Sequence, residues 1–234
     1  MSDMHLHLEE HVQSSDLLTD IVIGMSDGLT VPFALAAGLS GAVNDNVNLV
    51  WIAGIAEICA GSIAMGLGGY LAGKTEQDHY KSELKREYWE IKHKRQFEID
   101  EVKQVFLDWG LSDQVADEAT NEIIKDDKRW VDFMMKYELG LEEPNPKRAR
   151  KSAFNIGLSY IVGGLIPLTP YFFVSDSLTG LKISAIITLI CLYIFGYFKS
   201  KMTGVNPWSG GLKVMMIGAV AAAFAFGLAK LIEG

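Results

Sequence analysis

The chain is poor in the residues that build extracellular scaffolds and compact zinc sites. Its two cysteines, Cys59 and Cys191, both lie in apolar stretches, so neither a disulfide framework nor a paired-cysteine zinc site can be assembled. None of the five histidines falls in those stretches, which removes the H-E-x-x-H pattern and with it a helix-borne intramembrane metallohydrolase. Basic charge is also in deficit. A net charge of −8 argues against a nucleic-acid partner, because phosphate binding needs a basic surface. Residues 1–16 lack the basic region of a secretory signal. They carry Glu9, Glu10, His5, His7 and His11 and are expected to form a disordered tail, with weak metal capture as the second reading. Period-two alternation and turn pairs are missing too, so no sheet is expected.

What is present is long apolar runs. Crossing about 30 Å of hydrocarbon takes ~20 helical residues. Five stretches suffice: Leu17–Ala42, Leu49–Gly73, Ser152–Val174, Leu178–Lys199 and Gly210–Ile232. Backbone amides in lipid must pair within their own segment, so helices are the default. The links are short, at Asn44-Asp45-Asn46, Ser175-Asp176-Ser177 and Met202–Trp208. Only residues 74–151 are long and polar, and they hold sixteen of the twenty-one basic residues. Placing the basic loops in the cytosol puts the N-terminus and 74–151 there, and five spans leave the C-terminus on the far side. Lys147, Arg148, Arg150 and Lys151 are the strongest anchor; anionic-lipid binding is a secondary reading.

The expected fold is all-α, a polytopic membrane protein with five spans and a three-helix cytosolic domain inserted between spans two and three. The layout is a tail (1–16), spans one and two (17–73), the soluble insertion (74–151) and spans three to five (152–234). The insertion reads as one long helix over 75–107 stopped at Gly110, a second from Ser112 as N-cap to Lys125, and a third over Asp127–Leu139 ended by Gly140. A short echo links Ile23-Gly24-Met25-Ser26-Asp27 to Ile156-Gly157-Leu158-Ser159-Tyr160, each ahead of a proline, Pro32 and Pro167; internal repeats are common in transporters.

Carboxylates inside the spans carry the chemistry. An ionised group at mid-membrane costs ~2.5–3.5 kcal/mol even on insertion scales, so such residues are functional candidates by default. Asp27 and Glu57 lie deep in spans one and two. Asp20 lies near a span end, where an ordinary helix-end role is as good a reading. Gly24 and Gly28 flank Asp27, and Pro32 should open the hydrogen-bond ladder beside it. Glu57, Gly61, Met65 and Gly69 recur every four residues, setting a carboxylate and a thioether about 12 Å apart. Hard oxygen with soft sulfur suits ferrous iron better than calcium or magnesium, although Met65 alone is equally a core filler. Carboxylates can also exchange a proton for a metal. Tyr160 either lines this route or is a packed aromatic.

On the soluble helices Glu83, Glu87, Glu90, Glu98 and Glu101 stay near one face. A salt-bridged solvated face is one reading, supported by the i,i+4 series Glu90, Lys94, Glu98. The other is a metal site. Met134, Met135 and Glu138 bring the second reading level with the first, since adjacent methionines do not both fit a small core easily; Asp132 and Glu142 lie nearby. His93 sits off the glutamate face.

Asp20–Pro32 (DIVIGMSDGLTVP), Ala56–Gly69 (AEICAGSIAMGLGG), the Glu87–Glu101 run and Met134-Met135-Lys136-Tyr137-Glu138 together resemble the vacuolar iron transporter family, plant members especially, over essentially Ser15 to the end. The resemblance implies a homodimeric, proton-coupled exporter of cytosolic Fe²⁺ into the vacuole, with five spans per subunit and a pathway at the dimer interface. It implies that Asp27, Glu57 and Met65 line the route, and that Glu87, Glu90, Glu98, Glu101, Met134, Met135 and Glu138 bind metal in the cytosol. No prosthetic group and no enzymatic activity are expected. Partners would be protons and a divalent metal, Fe²⁺ foremost, with Mn²⁺, Zn²⁺, Co²⁺ and Ni²⁺ as other candidates. The rival readings are a membrane-anchored metal sensor or storage protein, and the same transport with manganese as main cargo.

Overall fold

The computed structural model describes residues 16–42 and 46–233. The tail histidines His5, His7 and His11 and the turn residues Asn44 and Asp45 lie outside them. Among the described residues every regular element is helical: α1 (Asp16–Ala42), α2 (Val47–His93), α3 (Arg95–Asp108), α4 (Asp113–Ile123), α5 (Asp127–Phe133), α6 (Arg148–Leu168), α7 (Ser177–Met202) and α8 (Pro207–Glu233). Five of them, α1, α2, α6 with its extension to Phe172, α7 and α8, are long and apolar enough to cross a membrane. The chain divides into a unit formed by the residues up to Tyr70 and from Arg150 on, and a second unit, Leu71–Ala149.

In the first unit α1 packs against α7 and α8, and α7 against α8. The buried face of α1 includes Asp20, Gly24, Gly28, Pro32, Ala36 and Ser40, one residue per turn. Small side chains on that line let backbones approach closely. A Cβ on Gly28 would fall 2.9 Å from the Tyr160 Cα, and one on Gly24 2.8 Å from the Ser159 Cβ. The two echoing segments, 23–27 and 156–160, therefore lie against each other. The helix runs through Pro32 without interruption; the proline lacks only its own N–H. The third span starts earlier than its apolar run, at Arg148, and tightens after Leu168 into a 3₁₀ turn, Thr169–Phe172. Pro170 in that turn has no N–H for an α-type bond. Tyr171 then shares a hydrogen bond with Ser40 of α1, 3.0 Å. Asp176 caps α7, accepting from the Thr179 N–H at 2.6 Å.

The second unit closes on an apolar cluster that includes Ile91, Val102, Phe106, Trp130, Met134 and Met135. Gly110 and Gly140 end their helices with positive φ, 86° and 64°, as helix-stop glycines do. Two expectations fail here. The long helix over 75–107 is broken at Lys94, whose φ/ψ of −126°/32° separates α2 from α3. No glycine or proline marks the break. The third soluble helix is α only to Phe133 and continues as a π turn, Met134–Glu138. Its wider i→i+5 loop, closed by Leu139 N–H to Met134 O at 3.1 Å, alters the angular step along the helix. Both methionines are consequently buried, at 0% and 1% exposure, against the expectation that neighbours could not share a small core.

Candidate functional site

The sequence-selected residues fall into two groups, one in each unit. In the first unit Glu57 of α2 is half-buried and receives a hydrogen bond at Oε1 from the hydroxyl of Tyr160, itself 2% exposed. Gly61, one turn along α2, makes room for it: a Cβ there would sit 2.5 Å from that hydroxyl. The second carboxylate oxygen, Oε2, is buried without a hydrogen-bond partner. Glu57 also edges an open groove of about 570 Å³ whose other walls include Thr30, Ala34 and Gly38 of α1 and Ala221 and Ala225 of α8. Among the described lining residues it is the one ionisable side chain. A buried acceptor with one lone-pair face unfilled can take a proton or a cation.

Asp27 and Met65 are half-buried. Asp20 does not behave as a solvated helix end. It is 1% exposed and accepts from Ser152 Oγ at 2.8 Å and Asn155 Nδ2 at 3.2 Å, both on α6. This clamp pins α1 to α6 four residues before Gly24. Sequence reading had no means of finding Ser152 and Asn155, which lie more than 130 positions away and carry no motif.

In the second unit Glu87 and Glu90 of α2 and Glu98 of α3 bring one carboxylate oxygen each to within 4.8 Å of one another. All three are buried, at 2%, 7% and 2% exposure. This is not a solvated charge stripe. The break at Lys94 folds the chain between the second and third glutamates. Lys94 N–H donates to Glu90 O at 2.7 Å, and Lys94 O accepts from Glu98 N–H at 3.2 Å. Glu101 is half-buried and Glu138, on the π turn, is exposed. Asp132 pairs with Lys128 at 2.9 Å instead. His93 stacks on Trp89, ring centroids 4.5 Å apart.

The apolar part of α2 ends at Gly73, so the cluster belongs to polar chain. Burial, then the charges of Glu138, Glu98 and Glu90, push Glu87 up to about 7. Burial, then Glu101, Glu90 and Glu138, push Glu98 up to about 7 as well. Glu101 and Glu138 are raised, desolvation leading in each. Glu90 goes the other way: the hydrogen bond from Lys94 holds it below the usual carboxylate range, with Arg86 adding to this. One oxygen of Glu87, Oε2, is buried and unpartnered. Packing several carboxyls into one desolvated pocket with too few hydrogen-bond donors is unfavourable for an empty pocket and suited to a divalent cation. The thioethers of Met134 and Met135 pack in the apolar cluster that also holds Ile91 and Val102, next in sequence to Glu90 and Glu101.

The chain also matches known proteins over most of its length. A family model described as "VIT family" matches residues 18–230. The chain is 49% identical over 227 residues to "Vacuolar iron transporter 1" of Tulipa gesneriana, covering 97% of this chain and 92% of that protein. It is 48% identical over 227 residues to "Vacuolar iron transporter 1" of Arabidopsis thaliana, covering 97% and 90%. It is also 41% identical over 226 residues to "Protein CCC1" of Saccharomyces cerevisiae, covering 92% and 69%.

Proposed function

Since the chain belongs to the VIT family, a family of transporters and not of enzymes, we propose that it is a homodimeric Fe²⁺/H⁺ antiporter moving cytosolic iron across the vacuolar membrane. In this reading residues 74–151 face the cytosol. Glu87, Glu90, Glu98, Glu101, Met134, Met135 and Glu138 gather the ion there. Asp27, Glu57 and Met65 receive it within the spans, Asp20 and Tyr160 shaping the route.

The observation that carries the reading is the state of Glu57. One of its oxygens is held by Tyr160, the other is buried without a hydrogen-bond partner, and the residue edges a groove on whose described lining it is the one ionisable side chain. A carboxylate oxygen without a hydrogen-bond partner can accept either a proton or a metal ion, and exchange between the two would be antiport. In this reading Tyr160 holds Oε1 and leaves Oε2 to take the cargo.

The test is Fe²⁺ uptake into proteoliposomes under an imposed pH gradient, repeated with Mn²⁺, Zn²⁺ and Ca²⁺. Gradient-dependent Fe²⁺ uptake is expected, with Asp27→Ala and Glu57→Gln each reducing it to the level of empty liposomes. Uptake indifferent to the gradient would refute antiport, and uptake of manganese in preference to iron would change the cargo.

A further inference from the structure

The glutamate cluster has two cations of its own. Arg86 Nε lies 3.2 Å from Glu90 Oε2, and Lys94 Nζ lies 2.7 Å from Glu90 Oε1, so both oxygens of one carboxylate are occupied. The partners differ sharply in burial. The Glu90 side chain is 9% exposed, whereas Arg86 and Lys94 are 60% and 49% exposed. Long side chains with that much exposure can swing into water at little loss; the buried carboxylate cannot follow. Arg86 has somewhere else to go, since Nη1 already touches Glu83 Oε2 at 3.3 Å. Lys94 likewise has the face of Trp89, 5.7 Å away. Glu87, by contrast, keeps a buried oxygen unpartnered inside the same cluster. The pocket thus holds one carboxylate open and one covered by removable positive charge.

We propose that Lys94, with Arg86, acts as a displaceable counter-cation of the glutamate cluster, competing with the divalent ion for Glu90 and so keeping the site's affinity low enough for the ion to be released onward. This rests on the reading of the cluster as the cytosolic metal-gathering site. An incoming ion takes Glu90, the ammonium and guanidinium turn out to solvent, and on release they close over the carboxylate again. Because an ordered positive charge already sits there, the empty site does not have to carry the full repulsion of clustered acids, and the loaded site does not become a trap. Lys94 is also the residue at which α2 breaks from α3, its backbone hydrogen-bonded to both Glu90 and Glu98. Any test must therefore separate charge from shape.

Calorimetric titration of the detergent-solubilised full chain with Co²⁺ does so. Glu98→Gln first identifies the binding component that belongs to the cluster, as the one it removes. For that component Lys94→Gln, which removes the charge but keeps an N–H donor on a side chain one bond shorter, is expected to tighten binding about tenfold at low salt, the gain shrinking as salt screens it. Lys94→Arg, which restores the competing charge, is expected to stay near the wild-type value. Unchanged or weaker binding in Lys94→Gln, with the Glu98-dependent component intact, would overturn the counter-cation role and leave the metal site standing. Absence of any component removed by Glu98→Gln would overturn both.

Discussion

A carboxyl whose proton leaves only near neutrality binds metal in competition with that proton. Glu87 and Glu98 both titrate at about 7, burial being the first cause. A divalent ion needs the ionised forms, so its apparent affinity for the cluster should rise between pH 6 and pH 8, with protons released on binding. Stability moves oppositely. The folded pKa values lie above the ordinary 4.5, so these groups favour the folded state at low pH and lose that contribution as pH rises through about 7. The metal-free chain should therefore melt at a higher temperature at pH 6 than at pH 8, and Co²⁺ should reverse the order. A Glu87→Gln/Glu98→Gln double variant should flatten both trends in thermal unfolding. The sequence put these glutamates near one face, with a solvated stripe and a metal site both open, and the family resemblance alone singled them out. What their spacing could not tell is that they are buried, because any amphipathic charged stripe would look the same until the chain breaks at Lys94. Nor could it reveal the bond between Tyr160 and Glu57, which joins residues 103 positions apart.

Between helices, the decisive quantity is distance between backbones. Gly28 lies against Tyr160 with no room for a side chain, whereas Gly68 has nothing within 4 Å of where a Cβ would stand. Gly28→Ala should destabilise the chain by about 1–3 kcal/mol through overpacking. Gly68→Ala should be neutral or stabilising by up to ~1 kcal/mol, since a helix interior favours alanine. Melting temperatures of the two variants in the same detergent check this, and equal losses would show that the tight α1–α6 contact is not what holds the helices. The sequence displayed the five apolar helices because lipid forces backbone pairing within each segment, and composition records it directly. It hid the break at Lys94 and the π turn at Met134–Glu138, since both are departures from helical geometry with no glycine or proline within them. Spacing arguments assume about 3.6 residues per turn, and they misplace side chains wherever the turn widens.

For the molecule as a whole, the distribution of charge carries the proposed orientation. Five spans would put the two termini on opposite sides, and the sixteen basic residues of 74–151 would keep that segment in the cytosol. In intact vacuoles an N-terminal tag should be digested by added protease while a C-terminal tag is protected until the membrane is opened; protection of both, or of neither, would refute the topology. The burial of the paired methionines bears on the same setting. Ferrous iron meeting peroxide generates strong oxidants, and a thioether within reach of them is turned into a polar sulfoxide that no longer fits an apolar core. At 0% and 1% exposure, Met134 and Met135 are shielded from oxidants formed in bulk water, so sulfoxide at these two residues would be a chemical record of oxidant made at the glutamate cluster itself or of opening of the unit around them.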